Sequence, residues 1–249
     1  MELVRKFMLP TLLLLAAATA WGQQGGDLQA QILYAYQTED ANSLANLTQD
    51  LATQVKADTG DLSLRYHLAH AQYRRALLAD TGNARRAESA FADCVDELKP
   101  LLSQDVKSVE ALVLQSACYA GLAGHKQLEA VLLRSRADER LDAALKIAPR
   151  NPRAVFLSSM EGLRQAKPGS VLQQHAFAQL QLAAQLFDAS SATSIDTPGW
   201  GHAEAYLALG KELQARGDQL GARNWIEKSL IAAPDYKAAQ RQLALLVRH

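Results

Sequence analysis

Residues 203–236, AEAYLALGKELQARGDQLGARNWIEKSLIAAPDY, decide the fold of this 249-residue chain. The segment reads as two amphipathic helices joined by a tight turn. Tyr206, Leu209 and Leu213 form one apolar stripe, and Ile226 and Leu230 form a facing stripe at helical spacing. Gly210 lies inside the first helix, where glycine costs about 1 kcal/mol relative to alanine. A close approach by the second helix at Ala222 would explain that cost. Gly217 suits a left-handed helix end, Asp218 suits an N-cap, and Pro234 closes the unit.

With Tyr206, Leu209, Gly210, Leu213, Gly217, Ala222, Ile226, Ser229 and Pro234 at these offsets, the segment resembles one complete tetratricopeptide repeat. A single such hairpin cannot bury its apolar face alone, so the resemblance implies neighbours of similar build. Candidate neighbours are present. A first short helix covers 27–36, and Asp40 caps a second that reaches about Val55. Leu62–Ala79 pairs with Ala84–Leu98, and a third hairpin runs from about Ser108 to Ala148. Ala137, Leu141, Ala144 and Pro149 repeat the late half of the pattern. Pro152–Gln165 pairs with Val171–Phe187, after which a polar loop spans Asp188 to Trp200. Lys237–Val247 forms a last amphipathic helix that caps the stack. Pro100, Pro149 and Pro234 serve as breaks. The expected architecture is all-α: an α-solenoid of about five antiparallel hairpins plus a C-terminal capping helix, filling residues 23–249.

Residues 1–22 read as a signal peptide. Arg5 and Lys6 precede an apolar run, Phe7–Ala20, and Ala18-Thr19-Ala20 fits a small-x-small cleavage site. The run is shorter than the roughly 20 residues of a spanning helix. The expected location is therefore periplasmic or secreted, with no stable membrane span after cleavage; an uncleaved anchor is the alternative. Cys94 and Cys118 are the two cysteines. In an oxidising compartment they form a disulfide; otherwise they are buried thiols.

The chain carries equal numbers of basic and acidic residues, 26 each, which removes the electrostatic footprint of a nucleic-acid binder. No nucleophile elbow, phosphate loop or dinucleotide fingerprint is present. His67 and His70, three apart on a helix, can face one metal, but no third ligand is placed nearby. Trp200, between Gly199 and Gly201, is either a ligand-stacking residue or a loop anchor. No catalytic residue, cofactor or metal is expected.

The resemblance implies a concave groove lined by the first helix of each hairpin. In the clearest repeat it marks Glu204, Leu207, Ala208, Lys211 and Gln214 as groove positions, and His70 adds a contact in the second hairpin together with Arg65, Gln72 and Arg74. Leu207 and Ala208 stand where a clamp for a peptide carboxylate needs polar groups, so such a clamp is not expected. The function expected is non-catalytic: a scaffold of the bacterial cell envelope that binds a protein partner through the groove. The alternative is a small-molecule-binding accessory of a periplasmic transport system, which requires an apolar pocket with convergent polar groups near Trp200 or His70.

Overall fold

The computed structural model describes residues 27–79, 82–191 and 198–247. The predicted leader and the tip of the Asp80–Asn83 turn lie outside them, as does part of the loop before Trp200. The described residues form eleven α-helices: α1 (27–37), α2 (Ala41–Ala57), α3 (Leu62–Ala79), α4 (Ala84–Gln104), α5 (Val109–His125), α6 (Ala130–Ile147), α7 (Pro152–Gln165), α8 (Val171–Ser191), α9 (His202–Ala215), α10 (Gln219–Ala232) and α11 (Lys237–Val247). They pack as five antiparallel hairpins, and α11 closes the stack. The expected all-α solenoid is what the chain forms.

Local chemistry sets the boundaries. Asp40, Asn83, Asn151 and Asp218 each accept a backbone N–H three residues on, from Ser43, Arg86, Ala154 and Gly221 at 2.8–3.0 Å. Each removes one orphan donor at a helix start. Gly217 takes the left-handed conformation (φ 85°) that ends α9. Two boundaries differ from the sequence reading. Pro100 does not end its helix: α4 continues to Gln104, because Leu98 and Leu101 are both buried and hold the turn around the proline in place. The polar segment after Asp188 begins helically, with α8 running on to Ser191.

Packing follows the predicted stripes. Ala137, Leu141 and Ala144 are buried on α6, and Ala222, Ile226 and Ser229 on α10. A Cβ on Gly210 would stand 2.5 Å from Ile226 Cγ1 and 3.0 Å from the Ala222 carbonyl oxygen. The two helices of the last hairpin are therefore as close as the Gly210–Ala222 spacing suggests. Cys94 and Cys118, both fully buried, form a disulfide that joins α4 to α5 across adjacent hairpins.

The array also closes on itself. α1 packs against the C-terminal hairpin through Tyr36 and Tyr236, whose ring centroids lie 6.2 Å apart. Arg241 on α11 holds Glu39 after α1 with both guanidinium nitrogens. Trp200 Nε1 donates to the Tyr66 hydroxyl at 3.1 Å, bridging the entrance of α9 to α3. The concave side is thus interrupted by direct contact between the two ends.

Candidate functional site: a closed concave face

The inner face holds two adjoining cavities. The first, about 460 Å³, lies among α3, α4, α5, α6 and α7 and is walled by Leu77, Phe91, Ala117, Ala120, Gly124 and Leu157. The second, about 520 Å³, lies among α3, α7 and α9 and is walled by Phe156, Leu163, Leu207 and Ala208, with Trp200 and Tyr236 at its end. Tyr73, Leu77, Met160 and Arg164 line both, so the two form one divided concavity. Most of the wall is apolar. Gly124 is exposed, and a Cβ there would meet nothing within 4 Å. Small residues on α5 open the first cavity in this way.

Arg74 is the hub between the cavities and the closure. Its side chain is almost wholly buried and meets Glu204 at 2.6 Å. Its Nε–H donates to His70 Nε2 at 3.1 Å, and its guanidinium lies 4.4 Å from the centre of the Tyr36 ring. Tyr73 and Trp200 flank it at 5.4 and 5.7 Å. The arrangement satisfies a buried cation with one carboxylate and several ring faces. Glu204 is fully engaged as well, since its other oxygen accepts the Gly201 N–H at 3.1 Å and caps α9. Gly201 itself has φ 99°, and a Cβ there would stand 2.7 Å from the Phe187 ring, so the α9 entrance requires glycine.

Burial shapes the titration of these groups. His70 is held well below the ordinary histidine value by desolvation, reinforced by the neighbouring Arg74, His67 and Arg153 charges. It is therefore neutral, and because Nε2 accepts from Arg74 the ring proton sits on Nδ1. His67 is lowered mainly by burial. The Tyr73 phenol is pushed up to about 12, again chiefly by burial.

A second polar cluster fixes α9 from the other side. The Tyr206 hydroxyl donates to Asp188 Oδ1 and lies 2.7 Å from His202 Nε2, while the His202 ring stacks on Phe187. Below it, Arg153 binds both Glu110 oxygens at 2.6 Å and donates to the Pro198 carbonyl, also at 2.6 Å. These contacts pin the segment that delivers Trp200. The Trp200 side chain is 2% exposed, which makes it an anchor rather than an open stacking platform.

The predicted groove residues separate in this frame. Lys211 is exposed and borders the second cavity, with no carboxylate at salt-bridge distance among the described residues. Glu204 and Leu207 border it too, but Glu204 is committed to Arg74 and Leu207 is buried. Gln214 lies outside both cavities, with its oxygen accepting a hydrogen bond from Gln242 on α11. His70 is the clear correction. It is fully buried beneath Arg74, with the Trp200 ring 6.0 Å from its own, and it cannot meet a partner at the surface. Arg74 is likewise a closure residue. The first cavity was missed by the sequence reading, although the small-residue spacing Ala117, Ala120, Gly121, Gly124 carried a signal for it.

Comparison with solved structures agrees with this fold. A crystal structure of a thermophilic TPR protein from Thermus thermophilus matches 92% of this chain and 100% of its own, with a TM-score of 0.61 and 18% sequence identity. This chain has the tetratricopeptide-repeat fold. No family model matches the sequence, and no curated protein does. Among the described residues, no helix of this array is long and apolar enough to cross a membrane, and no group of three or more His, Cys, Asp or Glu side chains is placed to hold a metal.

Proposed function

We propose that this tetratricopeptide protein is a non-catalytic scaffold of the bacterial cell envelope that holds a partner protein on its concave face. The observation that carries the reading is the divided apolar concavity on the inner side of the array, bordered by exposed Lys211. The leader-like residues 1–22 support export, and the buried Cys94–Cys118 disulfide suits an oxidising compartment. Photo-crosslinking residues placed at Lys211 and at Ala120, with a control at Leu220 on the turn side of α10, test it in living cells. A specific protein adduct from the two inner positions and not from Leu220 is expected. Adducts from none of them, in an exported and folded protein, would reject a protein partner at this face.

A second reading has one observation in its favour. The cavity beside Trp200 has the size of a small-molecule site and combines apolar walls with Arg74, Glu204 and Lys211. A small-molecule-binding accessory of a transport system would show a metabolite co-purifying in native mass spectrometry, released by unfolding.

A further inference from the structure

The two ends of the array meet over a histidine. His70 on α3 is fully buried, and its Nε2 accepts the Arg74 Nε–H at 3.1 Å. Its Nδ1 carries the ring proton and has no hydrogen-bond partner among the described residues. Arg74 in turn holds the closure. Its guanidinium meets Glu204 of α9 at 2.6 Å and lies 4.4 Å from the centre of the Tyr36 ring of α1.

This arrangement has no room for a second proton on His70. The proton would go to Nε2, the atom that accepts from Arg74, so the hydrogen bond would be lost and two N–H groups would face each other. It would also place a second cation 3.1 Å from the first, away from solvent. The surroundings do not answer that charge. Glu204 is held by Arg74, and Glu110 on α5 is bound through both oxygens by Arg153 of α7. His67 and Arg153 add positive potential at the imidazole. Tyr36 of α1, Tyr66 and Tyr73 of α3 and Tyr236 before α11 surround the cluster as neutral phenols.

We propose that this contact is an acid-operated latch: protonation of His70 releases Arg74 from the closure, and the α1–α2 end parts from the α9–α11 end while the hairpins stay folded. Each end has a core of its own to keep it folded. Ile32, Leu44, Leu51 and Leu68 pack together within α1–α3, and Ala203, Ile226 and Ala239 within α9–α11. In the open form the imidazole meets water and titrates near its ordinary 6.5, whereas burial and the nearby cations hold it well below that value in the closed form. The open form therefore takes up the extra proton. Above about pH 6.5 the latch is shut, and below it the open-to-closed ratio rises by up to about tenfold per pH unit.

The test is the distance between the two ends, read by double electron–electron resonance between spin labels on non-natural residues at Tyr34 of α1 and Leu245 of α11, both exposed. Samples span about pH 7.5 to about pH 5, above the range in which ordinary carboxylates titrate. Circular dichroism of the same samples reads the helices. One short distance is expected at the upper end, with a growing population of longer distances below about pH 6 and an unchanged helical signal. His70→Gln keeps an acceptor for Arg74 but takes no proton, so it should stay closed throughout. His67→Gln should still open. If His70→Gln does not fold, the triple variant His70→Leu, Arg74→Met, Glu204→Leu serves instead, because it leaves neither charge nor proton site at the closure, and it too should stay closed. A wild-type distance that is constant over the range would overturn the latch. So would opening that persists in the His70→Gln or triple variant, or lengthening that appears only together with loss of helix.

Discussion

Arg74 on α3 and Glu204 on α9 meet at 2.6 Å, and that contact joins the second hairpin of the array to the fifth. Neither charge is well solvated, so each depends on the other. Removing one partner leaves an uncompensated buried charge, which costs about 3–5 kcal/mol. Glu204→Gln is expected to lower stability by that order in urea unfolding and to expose α1 to limited proteolysis. Replacing both by apolar residues of similar volume, Arg74→Met with Glu204→Leu, should recover most of the loss. If the double variant were as unstable as the single one, packing rather than the ion pair would govern closure.

Gly210 tests the close approach of α9 and α10. Any side chain here must displace Ile226 or the Ala222 carbonyl. Gly210→Leu should therefore cost about 1–3 kcal/mol or more through overpacking. Thermal unfolding followed by circular dichroism measures it, and an unchanged melting temperature would contradict the spacing described.

The disulfide spans 24 residues of sequence separation. Closing a loop of that size constrains the unfolded chain by about 3 kcal/mol. Cys94→Ala with Cys118→Ala is expected to fold with the same helical content and to lose roughly that stability. The wild-type protein should drop to the same value when unfolded in reductant, whereas the double variant should not respond to it.

Acid should weaken the array before its carboxylates titrate. His70 and His67 both have folded values below 6.5, so the unfolded chain binds more protons than the folded one as pH falls through that value. Stability is then full above about pH 6.5 and declines below it. The urea midpoint is expected to fall between pH 7 and pH 5, and His70→Gln should flatten that slope. The carboxylates with lowered values, Glu39, Glu161 and Asp40, act only further down, below their ordinary 4.5 for Glu and 3.8 for Asp. A midpoint constant from pH 7 to 5 would mean that the imidazole is not shielded from water.

Much of the fold was legible because the information is local. Asp40 and Asp218 announce helix starts through their own side-chain oxygens, and Gly217 announces a helix end; Asn83 and Asn151 cap α4 and α7 in the same way, although the sequence reading did not name them. The stripe of Tyr206, Leu209, Ala222 and Ile226 has a helical period that a neighbour must cover. Pro100 misled the reading of α4 because a proline's local cost was outweighed there by burial of Leu98 and Leu101, which depends on the next hairpin.

The site was less legible. Lys211 borders the second cavity, in keeping with its place on the open face of the clearest repeat. His70, Arg74 and Glu204 have polar identities that read as surface groups, yet they are drawn inside by contacts far along the chain. Spacing in a helix fixes which residues share a face, but not what arrives to cover that face. The sequence by itself determined the helical hairpins, their caps and the close pairing at Gly210, since each follows from neighbours a few residues away. Only the tertiary structure decided that the array closes through Arg74–Glu204, Tyr36–Tyr236 and Glu39–Arg241. The small rotations from hairpin to hairpin add up over the whole chain, and their sum alone sets whether the two ends meet.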